Sequence, residues 1–411
     1  MGIPELLAPA GSMDALRAAL HFGADAVYGG MKKYGLRAFA GNFDPDGLAE
    51  AAALAHAAGK KFYVTMNSYP FDDELDDFTA CAALAAELGA DAAIVADPGA
   101  VVTLRRKVPR LPVHVSTQAN TVNAAAVELY RDLGCERVIL AREMSLERIR
   151  VLREKVGDSI QLETFVHGAS CMAYSGRCLL SAYLTGRSGN RGECAQPCRW
   201  KYAVTEEKRP GEYLPVAEDG RGTYLFSARD LCLMPLLPEL CGAGISSLKI
   251  EGRMKTEYYV AVVTGAYRRA LDLLAEGRER FAENLPALME ELRCASHRLS
   301  DTGFLQGAPE VPGEAEGFWQ EREYAARVLD GAGEDGQARL LLKNRFFAGD
   351  ELELMTPEGV RKVTAKPFVR EKTGEILDTL GVAGEVIRME LPGSRCGDML
   401  RGPVRNHRGE R

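Results

Sequence analysis

The residues best suited to chemistry crowd into one stretch, Gln161 to Lys201, which holds Cys171, Cys178, Cys194 and Cys198, four of the ten cysteines in the chain. Cys232, in the run SARDLC, and Cys241 follow. The spacing is C-x6-C, then fifteen residues to Cys194, three to Cys198 and thirty-three to Cys232. Zinc ribbons and ferredoxins usually show C-x2-C pairs, so neither is read here. Thiolates gathered from one long segment could still hold an iron–sulfur cluster or a zinc ion, because soft ligands select those metals. The plainer alternative is that Cys171 and Cys178 are small buried hydrophobes, and Cys241, alone in an apolar run, reads as core. Arg177, Arg187, Arg191, Arg199 and Lys201 surround the cysteines. Positive charge lowers thiol pKa and suits an anionic cluster or substrate, although such a run also serves as a solvated face.

Other candidates are polar residues at the ends of apolar runs. His167 lies near Glu163 and just before the cysteines, a place for a proton donor or for a structural histidine. Arg142 and Glu143 make a guanidinium–carboxylate pair by sequence. Lys249, Glu251 and Arg253 alternate, so in a strand they share a face. Asn67 and Gln118 are amides that could orient a carboxylate or a base. No Ser-His-Asp arrangement, HExxH or phosphate-cradling glycine loop is present, and Gly29-Gly30 alone is too weak a signal.

The elements that must position these residues alternate regularly. Strands are predicted at Glu5–Ala8, Ala26–Tyr28, Lys61–Met66, Ala92–Ala96, Val113–Thr117, Arg137–Ala141, Gln161–Val166 and Ser247–Ile250. Between them, Asp14–His21, Asp46–Ala58, Leu75–Leu88, Ala119–Leu133 and Ser145–Val156 repeat apolar residues at helical spacing, and several stop at Gly23, Gly59, Gly89 or Gly134. Eight such units predict an α/β fold, a (β/α)8 TIM-like barrel over residues 1–280. Barrel chemistry sits on the loops after the strands, where Asn67, Gln118, Arg142, Glu143, His167, Glu251 and Arg253 fall. The seventh connection, residues 167–245, is far longer than the usual few residues and reads as a cysteine-rich lid or metal-held insertion. Residues 281–320 read as helix and linker, 321–401 as a small all-β barrel from their two-residue alternation, and 402–411 as a basic tail.

Composition bounds the rest. The chain has 411 residues, 46% hydrophobic and 27% charged, with no apolar run near the roughly 20 residues that span a bilayer. The N-terminus lacks a secretory pattern, which predicts a cytoplasmic protein whose cysteines are not structural disulfides. A net charge of −7 argues against a protein that coats nucleic acid non-specifically and leaves room for a local basic patch.

The blocks ELLAPAGSMDALRAALHFGADAVYGG, ETFVHGASCMAYSGRCLLS, RGECAQPCRWKY, SLKIEGRMKTEYYVA and ASHRLSDTGF resemble the collagenase-like peptidase family U32 across essentially the whole chain. Despite the family's name, the resemblance implies oxygen-independent hydroxylation with a 4Fe-4S cluster, the ligands being Cys171, Cys178, Cys194 and Cys232, with Cys198 in reserve for the fourth place. Length and the one extra β module are similar to the branch that converts the wobble uridine of tRNA to 5-hydroxyuridine with prephenate as cosubstrate. The roles that follow are catalytic for Glu163, His167, Glu251 and Arg253. Substrate binding falls to Asn67, Gln118, Arg142, Glu143, Lys249, Arg187 and Arg191. The partners implied are tRNA and a small dicarboxylate, with no membrane, and the β module grips tRNA or mediates a homodimer. The alternatives are a metal-dependent protease using zinc or another divalent ion, and a non-enzymatic RNA-binding or assembly protein.

Overall fold

The computed structural model of the chain describes residues 2–36, 41–171, 173–200, 217–219, 222–224, 229–307 and 318–405. Arg199 is placed in its turn, but nothing is said of its side chain, and Lys201 and the basic tail beyond Arg405 lie outside the described residues.

The strand–helix alternation closes as its eight units predict. Strands β1 (Glu5–Pro9), β2 (Ala26–Gly30), β3 (Lys61–Met66), β4 (Ala92–Val95), β5 (Val113–Val115), β6 (Arg137–Ile139) and β7 (Gln161–Ala169) pair in parallel order. After a short hairpin, β8 (Ala217–Asp219) with β9 (Gly222–Tyr224), come β10 (Asp230–Cys232) and β11 (Ser247–Ile250). Strand β11 pairs in parallel with both β7 and β1, which joins the two ends of the sheet into a barrel.

Helices α1 (Met13–His21), α2 (Pro45–Ala57), α3 (Leu75–Glu87), α4 (Pro98–Lys107), α5 (Ala124–Asp132) and α6 (Leu146–Val156) form the outer ring. The capping chemistry is local and repeated. Ser12, Asp44, Asp97, Asn123 and Ser145 each accept a hydrogen bond from the backbone N–H three residues on, satisfying a donor that the first helical turn leaves open. Leu6, Leu16, Val27, Leu48, Phe62, Phe78, Val101 and Leu104 are fully buried between strands and helices. Each fully buried side chain of this size contributes roughly 1.5–3 kcal/mol relative to exposure.

Beyond the barrel rim, β7 continues to Ala169, and β10 adds to it antiparallel, with Cys232 opposite His167. Helix α7 (Leu180–Thr185) belongs to the long seventh connection, and α8 (Leu237–Gly242) leads from β10 into β11. Helices α9 (Glu257–Glu276) and α10 (Arg278–Arg293) then bring the chain to β12 (Ser300–Asp301), which pairs with β10. Asp230 and Arg298, both buried and 2.8 Å apart, pin this corner.

The all-β region has the strands β13 (Arg322–Asp330), β14 (Gln337–Leu342), β15 (Glu351–Thr356), β16 (Gly359–Thr364), β17 (Phe368–Arg370), β18 (Ile376–Leu377), β19 (Val386–Glu390) and β20 (Met399–Pro403). They form one antiparallel sheet in the order β16-β15-β20-β13-β14-β19-β17-β18. Alternate residues such as Leu340, Leu342, Leu352, Leu354, Ile387 and Met389 face its own core. The region docks on α1, α9 and α10, with Arg327 pairing at 2.7 Å with both Asp14 and Glu257 in the first turns of α1 and α9. Tyr324 donates to Glu257 at 2.9 Å, and Arg401 reaches Glu291 at 2.8 Å and Glu353 at 2.7 Å.

Candidate active site

Aliphatic layers usually fill a barrel of this type. Here charge occupies one of them. Glu163, with no exposed surface, accepts from Arg137 Nη1 at 3.0 Å through one carboxylate oxygen and faces Lys249 Nζ at 3.1 Å through the other. Arg137 also donates to Glu5 at 2.6 Å and to Gln161 at 2.7 Å. Tyr63 and Ser247 donate their hydroxyls to Glu5 at 2.8 Å and 3.1 Å. Buried charge is costly unless paired and hydrogen-bonded, and these residues answer one another sign for sign. Burial pulls the Lys249 ammonium below the ordinary lysine value, against the opposing pull of Glu163. Burial and then Arg137 push His114 well below the ordinary histidine value.

Above this layer opens a cleft of about 490 Å³, lined among others by Tyr28, Thr65, Asn67, Ser116, Gln118, Arg142, Phe165, Lys249, Glu251 and Arg253. Six of the residues singled out from the sequence therefore meet here, on the loops after β3, β5, β6 and β11 and on β11 itself. Lys249 Nζ sits 4.3 Å from the Tyr28 ring centroid. Arg253 is held by the Thr65 hydroxyl and by Asn42 Oδ1 at 3.4 Å. Gly30 makes this fit, since a Cβ there would stand 2.7 Å from Arg253 Nη1. Arg142 Cζ stands over the Phe165 ring, 4.1 Å from its centroid, and the guanidinium donates to the Ala169 carbonyl at 3.0 Å and stands 3.9 Å from Glu251. Asn67 accepts from the Leu36 N–H at 3.1 Å, and Ser116 donates to Gln118 Oε1 at 3.0 Å. Lys249, Arg142 and Arg253 against Glu251 give the lining an excess of positive charge, which suits an anionic ligand.

The other sequence candidates stand elsewhere. Glu163 lies under the cleft, in the charged layer. His167 points toward α9, packed in edge-to-face contact 5.5 Å from the Tyr267 ring, and burial pulls its pKa down to about 4. Glu143 accepts from the Ser175 N–H and hydroxyl at 2.6 Å and 2.5 Å. It thereby pins a tight turn in which Ser175 has φ 40°. Arg191 makes a two-pronged pair with Glu74 at 2.5 Å and 3.1 Å, and Arg187 donates to the Glu193 carbonyl. Arg177 donates to the Gln118 carbonyl and to the Tyr69 hydroxyl. The bonds of Glu143, Arg191 and Arg177 fasten residues 173–200 to the loops after β3, β5 and β6.

Sequence reasoning passed over Arg137, Glu5, Thr65 and Ser116. The only visible signal was an arginine heading the apolar run RVIL, a place where a barrel strand would usually carry an aliphatic residue.

The thiols suit a metal by type, and two are presented as metal thiolates commonly are: Cys178 Sγ accepts from the Leu180 N–H at 3.4 Å and Cys194 Sγ from the Gln196 N–H at 3.3 Å. Both flank Gly189, whose Cβ, if added, would lie 3.5 Å from Cys194 Cβ and 3.7 Å from the Cys178 carbonyl. Cys171 is exposed and Cys232 is buried on β10. Burial raises the pKa of Cys232 against a contact with the Tyr267 hydroxyl. Among the described residues no three His, Cys, Asp or Glu side chains gather as a metal site, so the donor set suits a cluster while this arrangement does not assemble one.

The family model for peptidase family U32 matches residues 11–314, and that for its C-terminal domain matches residues 320–401. The chain belongs to peptidase family U32. Among U32 relatives, it is 37% identical to tRNA hydroxylation protein P of Escherichia coli over 95% of this chain and 94% of that one. It is 36% identical to tRNA hydroxylation protein P1 of Bacillus subtilis over 94% and 92%. A 23S rRNA 5-hydroxycytidine C2501 synthase of Escherichia coli is 38% identical over 67% of this chain and 40% of its own.

Proposed function

We propose that this U32 protein is a tRNA-modifying hydroxylase that forms 5-hydroxyuridine at the wobble position without molecular oxygen and with prephenate as cosubstrate. The observation that carries the reading is the likeness, from end to end of both β/α and β regions, to proteins named for tRNA hydroxylation. The chemistry of the cleft agrees with it. Arg142 and Arg253 offer planar donor forks to the carboxylates of a dicarboxylate ligand, and the charged layer beneath keeps Lys249 in place. Asn67 and Gln118, each fixed by a hydrogen bond, offer amide edges to an extruded base, which a concave mouth can admit. Glu251 is the carboxylate in the lining and is assigned the proton that leaves the base. Residues 173–200, fastened to the loops after β3, β5 and β6, are assigned the exclusion of water from the cleft.

A cluster held by Cys171, Cys178, Cys194 and either Cys232 or Cys198 would supply one-electron transfer when bound. The protein's own part is to supply those thiols, from the long seventh connection and from β10. The long seventh connection and the β region are assigned the tRNA backbone, with binding that weakens as salt rises. The reaction belongs in the cytoplasm; among the described residues no helix is long and apolar enough to cross a membrane.

The test is nucleoside mass spectrometry of tRNA from a deletion strain. Loss of 5-hydroxyuridine derivatives, restored by the wild-type gene, is expected. Unchanged levels in a strain without a second copy of the activity would overturn the reading.

A further inference from the structure

The interior of the barrel holds a feature that ligand binding alone does not require. A lysine used only to fix a carboxylate is best left at the rim, where its ammonium stays hydrated, and a guanidinium performs that task with better geometry. Lys249 is instead on β11 itself, ahead of Glu251 and Arg253 in the loop that follows, 4% exposed and with its amine against the charged layer at the floor of the cleft. It lies 4.3 Å from the Tyr28 ring and 5.5 Å from the Phe165 ring, so its surroundings on that side are apolar. A carboxylate oxygen of Glu163 stands 3.1 Å away, and the other oxygen of that carboxylate is held by Arg137 at 3.0 Å.

We propose that Lys249 is a covalent catalytic residue that condenses through its amine with the ketone of a 2-keto acid bound in the cleft, with Glu163 as its proton carrier. The proposal rests on the reading above that a keto acid is the cosubstrate, and it adds a bond that reading does not contain. A 2-keto acid whose carboxylate is taken by Arg142 or Arg253 directs its next carbon, the ketone, down toward the amine. The nitrogen lone pair attacks that carbon and a C–N bond forms. Glu163 takes a proton from the Lys249 ammonium before the attack and gives it to the carbonyl oxygen, then takes a second proton from the nitrogen and gives it to the resulting hydroxyl. The oxygen leaves as water and a protonated imine remains. No oxidant or reductant is consumed. The iminium withdraws electrons from the adjoining carbon, which activates the keto acid for the bond changes that follow. Burial favours the neutral amine that the attack needs, because an apolar site disfavours the ammonium.

The experiment is reductive trapping. The full-length protein, purified without air, is mixed with prephenate, or with pyruvate as a smaller probe, treated with borohydride and measured by intact and peptide mass spectrometry. The expected product is one adduct on Lys249 with the mass of the keto acid less one oxygen, absent without borohydride and lost in Lys249→Arg, which keeps the charge. Glu163→Gln, with its fold checked by circular dichroism, is expected to slow trapping. No adduct in wild-type protein, or an adduct on other lysines that persists in Lys249→Arg, overturns the proposal. So does full tRNA hydroxylation by Lys249→Arg in the deletion strain. The two readings fail separately. Absence of an adduct from protein that hydroxylates tRNA removes the covalent step alone, whereas an adduct on Lys249 in a protein whose deletion leaves tRNA unchanged removes the RNA reading alone.

Discussion

Lowering the pH should destabilise this protein through His167 before the surface carboxylates are neutralised. The imidazole is buried between β7, β10 and α9, its ring 5.5 Å from that of Tyr267 and 6.2 Å from that of Tyr259. Burial pulls its pKa from 6.5 to about 4, against a smaller upward pull from Asp230. The sign follows directly. Between 6.5 and about 4 the unfolded chain binds a proton that the folded chain refuses, so stability falls as pH drops through that window and levels off below it. At about 1.36 kcal/mol per tenfold change in proton affinity, the loss from this one residue grows to about 3 kcal/mol. The assay is urea unfolding followed by circular dichroism at pH 7, 6, 5 and 4, on wild type and His167→Gln. Asp230 and other paired carboxylates also weaken in acid, but they do so in both proteins. The difference between the two curves therefore isolates His167. The variant should lose less stability than wild type on going from pH 7 to pH 5. Parallel loss in both would refute the burial argument.

Further outcomes follow from the same geometry. Glu163→Gln leaves Arg137 and Lys249 facing a neutral amide inside the barrel. Breaking a buried pair typically costs about 3–5 kcal/mol, so its unfolding midpoint should drop sharply, and a change under about 0.5 kcal/mol would contradict the charged layer. Arg401→Ala removes a 3% exposed guanidinium from Glu291 and Glu353, loosening the seam between barrel and β region. Calorimetry should then show the β region melting earlier than the barrel, whereas a single unshifted transition would mean the seam is held by other contacts. Protein purified without air should carry iron and sulfide with broad visible absorbance, lost in Cys178→Ala; zinc alone in the wild type would count against the cluster.

Much of the fold was legible because a parallel barrel writes its strands as short apolar runs at even intervals. Each of the eight barrel strands appears within three residues of its expected ends. Helix α5 shows where the reading slipped. Expected from Ala119, it begins at Ala124, because Thr117–Ala119 forms a tight turn, Asn120 takes φ 55° and Asn123 caps the helix. Strands β10 and β12 were not foreseen. Two or three residues carry no usable period, and the pairing of β10 with β7 and of β12 with β10 depends on chain returning from a long connection. In the cleft, the alternation of Lys249, Glu251 and Arg253 gave a shared face from sequence alone. His167 carried no such cue: β7 twists on past the rim to Gly168, whose φ of 108° leaves room for the Glu251 carbonyl, and the imidazole turns outward. The barrel floor was invisible because Glu5, Arg137 and Glu163 lie far apart in sequence, and only closure of the sheet brings them together.

The account stands or falls on whether the cationic cleft is where tRNA is hydroxylated. The direct measurement is 5-hydroxyuridine content of tRNA in a deletion strain carrying wild type, Arg253→Ala, or Arg17→Ala as a control on the exposed face of α1. Wild type and Arg17→Ala should restore the modification, and Arg253→Ala, produced at equal level, should not. Restoration by Arg253→Ala equal to that by wild type would place the chemistry outside the cleft.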